Sequence, residues 1–172
     1  NELAVRLENE RESSRWYPGA GLYRNVHLVV TEDAYVPEWG TQIMTTEIGP
    51  KHADVTQTTE FVVPEGKQFS DYRIHTQIFD PQGKLAAEAE KAGTEYDNNV
   101  FEQDFLVKDP QLWTMDDPNL YTSVSRIYEG NTLKDEYKSI FGIRTVKVEG
   151  DKGFFLNGER VVFKGVCNHH DL

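Results

Sequence analysis

The sequence predicts an all-β protein built as a two-sheet antiparallel β-sandwich. Apolar residues alternate with polar ones at period two in segment after segment, which is typical of strands with one buried face. Turn signals separate these segments about every eight to twelve residues, and the helical period is nearly absent. About seven strands between residues 26 and 148 match the count of an immunoglobulin-like sandwich, although a single cysteine excludes the disulfide of antibody domains.

Three segments show the strand pattern most clearly. In a strand, residues two apart share a face, so each segment predicts which side chains point together. The predicted shared faces are Tyr72, Ile74, Thr76 and Ile78 (opposite Arg73, His75 and Gln77); Phe101, Gln103, Phe105 and Val107; and Leu120, Thr122, Val124, Arg126 and Tyr128.

Short turn motifs connect the predicted strands. "DPQGK" places Pro81 second and Gly83 fourth, as a type I turn prefers. "EGN" at 129 to 131 indicates a hairpin. "LNGE" at 156 to 159 is the strongest hairpin signal, because Asn-Gly suits a type I′ turn.

The segment 84 to 93, "KLAAEAEKAG", is the one stretch whose composition also favours a helix. Leu85, Ala87 and Ala89 alternate with Ala86, Glu88 and Glu90, and a turn precedes them. We therefore predict a strand here, with a helix as the alternative.

Composition excludes several classes of protein. The net charge is -11, which opposes long-range attraction to the phosphates of nucleic acid. No apolar run is long enough for a membrane helix, and the first thirty residues lack the features of a secretory signal. We predict neither a nucleic-acid partner nor a membrane partner, and the compartment stays open.

Both ends of the sequence read differently from the middle. "LAVRLEN", residues 3 to 9, predicts a strand. "KGFFLNGERVVFKGV", residues 152 to 166, predicts a hairpin followed by an apolar strand over 161 to 166. That last strand has little polar alternation, which is typical of strands buried on both faces in a parallel barrel or sheet.

Aromatic residues suggest two further sites. The loop "SSRWYPGAGLYRNVHL" at 13 to 28 contains Trp16 and Tyr17, which would serve either as a sugar-stacking platform or, as we favour, as a packed connection between domains. Trp113, in "LWTMDDPNLY", is predicted to plug the end of the sandwich core. Arg144, in "FGIR", is predicted to form a structural ion pair, with a ligand-binding role as the alternative.

The terminal "GVCNHHDL" gathers potential ligands. Cys167, His169 and Asp171 would share one side of a strand, so a metal site is conceivable. Tetrahedral sites usually draw ligands from two segments, and no second cluster precedes this one. We therefore predict no metal and no cofactor.

Taken together, "LAVRLEN", "SSRWYPGAGLYRNVHL", "LWTMDDPNLY", "FGIRTVKV", "GFFLNGERVVFKGV" and "NHHD" stand in an order that resembles the glycoside hydrolase family 2 enzymes. That family includes β-galactosidases, β-glucuronidases and β-mannosidases. The resemblance implies that residues 1–25 end an upstream jelly-roll domain, residues 26–148 form the immunoglobulin-like sandwich, and residues 149–172 begin a (β/α)8 barrel.

The same resemblance implies where the chemistry would lie. The family hydrolyses glycosides with retention, using two glutamates on later barrel strands that this sequence does not contain. We therefore predict no catalytic residue here, and His169 is the one position expected to contact substrate, in the complete enzyme. Cys167 and Asn168 depart from the Asn and Arg often found before that histidine.

The sequence thus supports a main hypothesis and two alternatives. The main one is a non-catalytic piece of a retaining β-glycosidase, most simply a β-galactosidase, that braces the barrel against the upstream domain and has carbohydrate as the substrate of the complete enzyme. The first alternative is a stand-alone carbohydrate-binding sandwich using Trp16, Tyr17 and Trp113. The second, an immunoglobulin-like module unrelated to sugars, leaves "GVCNHHDL" unexplained. Unpaired apolar residues over 161 to 166 also predict one of three outcomes: a disordered tail, a strand added to the chain's own sheet, or self-association.

Overall fold

A computed structural model describes residues 2–8, 21–22, 24–94 and 99–167. The chain divides into two compact units, residues 1–30 and residues 31–172. In the first unit, no strand forms within residues 2–8, 21–22 and 24–30, so the strand predicted over 3–9 is absent from the described part of that segment.

The second unit is all-β, as predicted. Its described part contains ten strands and two single 3-10 turns, Phe69–Asp71 and Gly150–Lys152. The strands are β1 (Thr41–Ile48), β2 (His52–Glu60), β3 (Tyr72–Phe79), β4 (Leu85–Ala92), β5 (Val100–Lys108), β6 (Tyr121–Glu129), β7 (Thr132–Phe141), β8 (Val146–Glu149), β9 (Gly153–Leu156) and β10 (Glu159–Val161). No helix in the described residues is long and apolar enough to cross a membrane.

The first seven strands form two antiparallel sheets, ordered β1-β2-β5 and β4-β3-β6-β7, which confirms the immunoglobulin-like sandwich. The segment 84 to 93 is strand β4, so the strand prediction is confirmed against the helical alternative. A third sheet, ordered β10-β9-β8, follows the sandwich. Strand β8 spans the predicted boundary between residues 148 and 149.

The predicted turns are present. The amide of Gly83 donates to the carbonyl of Asp80 (2.9 Å), and the Asp80 side chain accepts from the amides of Gln82 and Lys84. Asn157 and Gly158 both have positive φ, 52° and 82°, which is the type I′ geometry predicted for "LNGE".

Two of the three predicted strand faces are confirmed and one is wrong. The inward residues of β3 and β5 are buried as predicted, in strict alternation. In β6 the inward face is instead the odd-numbered one: Tyr121, Ser123, Ser125 and Ile127. The prediction failed because two serines on that face read as a solvated side, whereas they belong to a buried polar cluster.

That polar cluster divides the core in two. Six buried polar residues lie between the sheets: Gln57, Thr59, Thr76, Gln103, Ser123 and Ser125. Gln57 donates to Ser125 (2.8 Å) and Thr59 (3.0 Å) and accepts from Ser123 (2.6 Å), while Thr76 donates to Gln103 (2.7 Å). Every one of these side chains therefore has a partner, as buried polar groups require.

An apolar cluster lies on each side of this layer. The first contains Ala34, Val36, Phe61, Phe69, Tyr72, Ile74, Phe101 and Ile127; the second contains Ala53, Val55, Ile78, Phe105, Val107, Tyr121 and Ile143. The chain thus joins the sandwich beside the first cluster, which we call the Val36 end. It leaves beside the second, which we call the Ile143 end.

Candidate functional site at the Ile143 end

The Ile143 end is closed by the segment 112–118, which contains Trp113 and which we call the strap. The Trp113 amide donates to the carbonyl of Ile143 (2.9 Å), and Trp113 forms an isolated bridge with Pro118. Gly142 lies so close that an added Cβ would stand 2.7 Å from the Trp113 Cβ, so only glycine fits there. Trp113 is only partly buried, and it is the adjacent Leu112 that packs against the second core cluster. The core-plug prediction for Trp113 is therefore corrected to a surface strap.

Arg144 fixes the exposed side of this strap. Its guanidinium lies 4.4 Å from the centre of the Trp113 ring, a cation–π contact. No ion pair joins Arg144 to any residue in the described part of the chain. The predicted ion pair is thus replaced by stacking, because an aromatic face and not a carboxylate lies beside the side chain.

Asn157 ties the small sheet to this strap. Its side-chain oxygen accepts from the Thr145 amide (3.0 Å), and its side-chain nitrogen donates to the Trp113 carbonyl (3.0 Å). Its backbone amide also donates to the Thr145 carbonyl (2.9 Å). The sequence identified Asn157 as a turn residue only, since the turn alone accounts for an Asn-Gly pair and nothing local indicates its distant partners.

Two concave surfaces border the small sheet. An apolar cleft of about 310 Å³ lies between the strap and the sheet, lined chiefly by Trp113, Met115, Val146, Phe154, Leu156 and Phe163. A wider groove of about 1070 Å³ opens between β1, β7 and the small sheet, and Ile43, Met44, Ile140 and Phe155 are among its lining residues.

The segment after β10 is apolar and exposed. The strand predicted over 161 to 166 is not formed: Val161 is the last residue of β10, and residues 162 to 167 belong to no strand. The Phe163 ring contacts Phe154, with centroids 4.7 Å apart, yet Phe163 remains 67% exposed and Val166 88% exposed. This end therefore presents apolar side chains that the described residues do not cover.

Three carboxyl groups of the described residues have a resolved pKa shift, and in each the pKa is lowered. Hydrogen bonds from Lys147 and Lys152 lower the pKa of Glu149. The pKa values of Glu129 and Glu136 are lowered as well, by Lys67 and Lys134 and by Lys138 and Arg126 respectively. A carboxyl that acts as a general acid near neutral pH needs a raised pKa. In the described residues, every carboxyl with a resolved shift moves the other way, as expected of surface ion pairs.

Most of the predicted ligand residues are not among those that the structure describes. His169, Asp171, Trp16 and Tyr17 lie outside the described residues, and Cys167 is exposed. Within the described residues no group of three histidine, cysteine, aspartate or glutamate side chains could hold a metal ion. Of the three aromatic residues in the carbohydrate-platform alternative, Trp113 is the one within the described residues, and the Arg144 guanidinium lies over one face of its ring.

Comparison with known proteins decides the family. Residues 40–144 match the family model described as glycosyl hydrolases family 2, which is more than half of the chain. This chain belongs to glycosyl hydrolase family 2. The match begins just before β1 and ends just after β7, so it corresponds to the sandwich itself.

Individual relatives agree with this assignment. The chain is similar to the β-galactosidase BoGH2A of Bacteroides ovatus, at 39% identity over 100% of this chain and 20% of that protein. It is 34% identical to a putative β-glucuronidase of Formosa agariphila, covering 98% of this chain and 16% of that protein.

A solved β-glycosidase structure from Bacteroides vulgatus superimposes with a TM-score of 0.75 at 30% identity, over 91% of this chain and 19% of that one. The chain thus spans about a fifth of the length of the family 2 proteins that it matches.

Proposed function

We propose that this chain is the non-catalytic scaffolding piece of a retaining β-galactosidase and that it braces the catalytic barrel of the parent enzyme. Membership of glycosyl hydrolase family 2 supports a glycosidase as the parent. The choice of galactosidase is supported by the 39% identity to a β-galactosidase, against 34% to a putative β-glucuronidase.

One observation carries the scaffolding role: the uncovered apolar surface of the Ile143 end. Soluble monomers rarely leave contiguous apolar patches exposed, and such patches usually mark an interface. Here the exposed apolar side chains belong to one small sheet and the segment that follows it: Val146, Val148, Val162, Phe163 and Val166. The downstream barrel is the partner that we assign to this surface.

The internal bonding of this end suits a brace. The side chain of Asn157 and the stacked pair of Arg144 and Trp113 hold the small sheet against the sandwich. The small sheet is therefore attached to the sandwich by the Asn157 hydrogen bonds and by the contact between Arg144 and Trp113. These contacts would limit its movement relative to the sandwich.

Catalysis belongs to the rest of the parent enzyme in this proposal. Two glutamates about 5 Å apart would act there as general acid/base and as the nucleophile that forms a glycosyl-enzyme intermediate. His169 would approach the sugar ring at the C-terminal face of the barrel, where barrel enzymes build their active sites. No metal or cofactor enters this proposal.

Hydrolysis of aryl glycosides tests the proposal. The isolated chain should release no nitrophenol from 4-nitrophenyl β-galactoside, because the two glutamates are absent from it. The parent enzyme should hydrolyse that substrate with a kcat/KM well above that for the β-glucuronide. Turnover by the purified chain would refute the non-catalytic role, and a parent that prefers the glucuronide would refute the choice of sugar.

A further inference from the structure

The turn before β1 has an unusual residue at its tightest point. The Gly40 amide donates to the Pro37 carbonyl (2.8 Å), which closes a four-residue turn over Pro37, Glu38, Trp39 and Gly40. Trp39 occupies the third position with φ of 65°. Turns with positive φ at that position normally contain glycine or asparagine there.

This conformation is strained for tryptophan. Positive φ brings Cβ against the backbone, and a bulky side chain at such a position is a genuine outlier. Packing of the indole against the described residues does not offset this cost, since Trp39 is 88% exposed. Strain that a domain does not offset internally is a reason to look for a role outside it.

The backbone of the turn is nevertheless fixed. The Trp39 amide donates to the hydroxyl of Tyr137 (3.2 Å), and the Gly40 carbonyl accepts from the Glu60 amide (2.7 Å). A Cβ on Gly40 would stand 2.8 Å from Pro37, so that position accepts only glycine. The turn thus presents a large apolar ring to solvent from a backbone that cannot easily relax.

We propose that Trp39 is an anchor that inserts into an apolar pocket of the upstream domain of the parent enzyme, the part that precedes this sequence. This inference rests on the proposed function. A rigid, protruding tryptophan is the typical centre of a protein interface, where most of the binding energy is concentrated in a few buried aromatic residues.

The position of the turn selects the upstream domain. Trp39 lies three residues after Val36, at the end of the sandwich where the chain joins it. The surface assigned to the barrel lies instead at the Ile143 end. Proteins that match this chain are about five times as long, so the parent has ample chain to supply a partner. Two separate surfaces, one at each end, are what a brace between two domains needs.

Hydroxyl-radical footprinting read by mass spectrometry tests the contact. In the isolated chain Trp39 should be oxidised at the rate of a free tryptophan. In the parent enzyme the rate should fall at least fivefold, and it should recover in a parent truncated before residue 1. Equal oxidation in the isolated chain and the parent would overturn the proposal, and so would protection that survives the truncation.

A pair of glycine variants gives a second measurement that does not need the truncated parent. Trp39→Gly removes the backbone strain, so we expect it to raise the melting temperature of the isolated chain. In the parent the same change removes the anchor and should lower the melting temperature of the sandwich. Asp109→Gly is the matched control, because Asp109 is exposed and also has positive φ, 44°, at the opposite end of the sandwich. Asp109→Gly should change the melting temperature in the same direction in the isolated chain and in the parent. If Trp39→Gly also changes it in the same direction in both, the anchor is contradicted.

The two hypotheses fail in different ways. A parent that hydrolyses no β-glycoside but protects Trp39 would remove the proposed function and leave the contact. An active parent with unprotected Trp39 would remove the anchor alone. If galactose slows the oxidation of Trp39 in the isolated chain, the turn binds a sugar. If a higher concentration of the isolated chain slows it, the turn binds a second copy. Either result would also overturn the proposal.

Discussion

At the scale of single residues, the buried Gln57 of β2 joins the two sheets through side-chain hydrogen bonds. Gln57 is 0% exposed and uses both its oxygen and its nitrogen for hydrogen bonds to hydroxyls on β2 and β6. A buried hydroxyl that loses its partner costs about 1–3 kcal/mol. Gln57 therefore stabilises the fold mainly by giving the buried hydroxyls of Thr59, Ser123 and Ser125 a hydrogen-bond partner.

We expect Gln57→Leu to lower the free energy of unfolding by about 2–4 kcal/mol. The leucine removes the glutamine partner of the Ser123 and Thr59 hydroxyls and one of the two partners of Ser125, which keeps its contact with Thr76. Urea unfolding followed by fluorescence measures the change. The triple variant with Ser123→Ala and Ser125→Ala should recover much of the loss, since partners removed together leave little unsatisfied. Gln42→Leu, on the exposed side of β1, is the control. A loss no larger than that of the control would show that the cluster does not stabilise the core.

These residues also show where prediction from sequence stops. The inward faces of β3 and β5 were predictable because apolar residues outnumber the single Thr76 or Gln103 on each. The face of β6 was not, because Ser123 and Ser125 face inward toward Gln57 of another strand, a partner that is 66 to 68 residues away in sequence. The polar and apolar pattern of one strand cannot show that a polar residue is buried when its hydrogen-bond partner lies on a different strand.

At the scale of elements, the β9–β10 hairpin depends on Asn157 in two ways. Its positive φ forms the turn, and its side chain joins Thr145 to Trp113. The turn was predictable from two residues, but the second role was not, because it depends on how the hairpin packs against the strap.

Two substitutions separate these roles. Asn157→Gly keeps the permitted φ but removes the side chain, and we expect about 1–2 kcal/mol less protection of the Thr145 and Val146 amides in hydrogen exchange. Asn157→Ala should lose about 1 kcal/mol more, from left-handed strain. Amides in β3, which is distant from the hairpin, serve as the internal control. Equal exchange in the glycine variant and the unsubstituted chain would contradict the side-chain role.

Ion pairs join charged side chains on the four-stranded sheet and beside it. Arg73 pairs with Glu90 (2.7 Å) and Arg126 with Glu136 (2.8 Å), and Glu129 accepts from Lys67 (2.5 Å) and Lys134 (3.0 Å). Hydrogen bonds from these two lysines hold the pKa of Glu129 below its ordinary value of 4.5. Because the pKa is lower in the folded state, this contribution to stability is complete above about pH 4.5 and is lost as the pH falls through the folded-state value.

Glu129→Gln should therefore reduce the melting temperature at about pH 7, and the difference from the unsubstituted chain should shrink at about pH 3. Calorimetry at the two pH values measures it. Glu65→Gln, an exposed loop substitution with the same change of charge, is the control. A difference that grows on acidification would contradict the assigned sign.

At the scale of the whole molecule, the sandwich was predictable and its surroundings were less so. Seven alternating segments and their turns sufficed for the two sheets, because each element's pattern has a local cause. The small sheet was predicted only as a hairpin, since its third strand β8 is four residues long and two of its four residues are valines exposed to solvent. His169, the one expected substrate contact, lies outside the described residues.

The exposed apolar segment after β10 predicts association between copies of this chain. Light scattering should show concentration-dependent dimers or larger species, because uncovered valine and phenylalanine side chains lose contact with water on pairing. The double variant Val162→Lys and Val166→Lys should remain monomeric at the same concentrations. A chain that is monomeric throughout would show that this surface is insufficient for association.

The separate places where the chain joins and leaves the sandwich have a mechanical consequence. Strands of nine residues rise about 3.3 Å per residue, so the points of attachment stand roughly 30 Å apart. Hydrogen-bonded ladders stretch very little, so in the proposed parent enzyme this sandwich would hold the two attached domains at a fixed separation. Adding a two-residue increment to every strand would preserve which side chains point inward and would move the neighbouring parts about 7 Å further from each other.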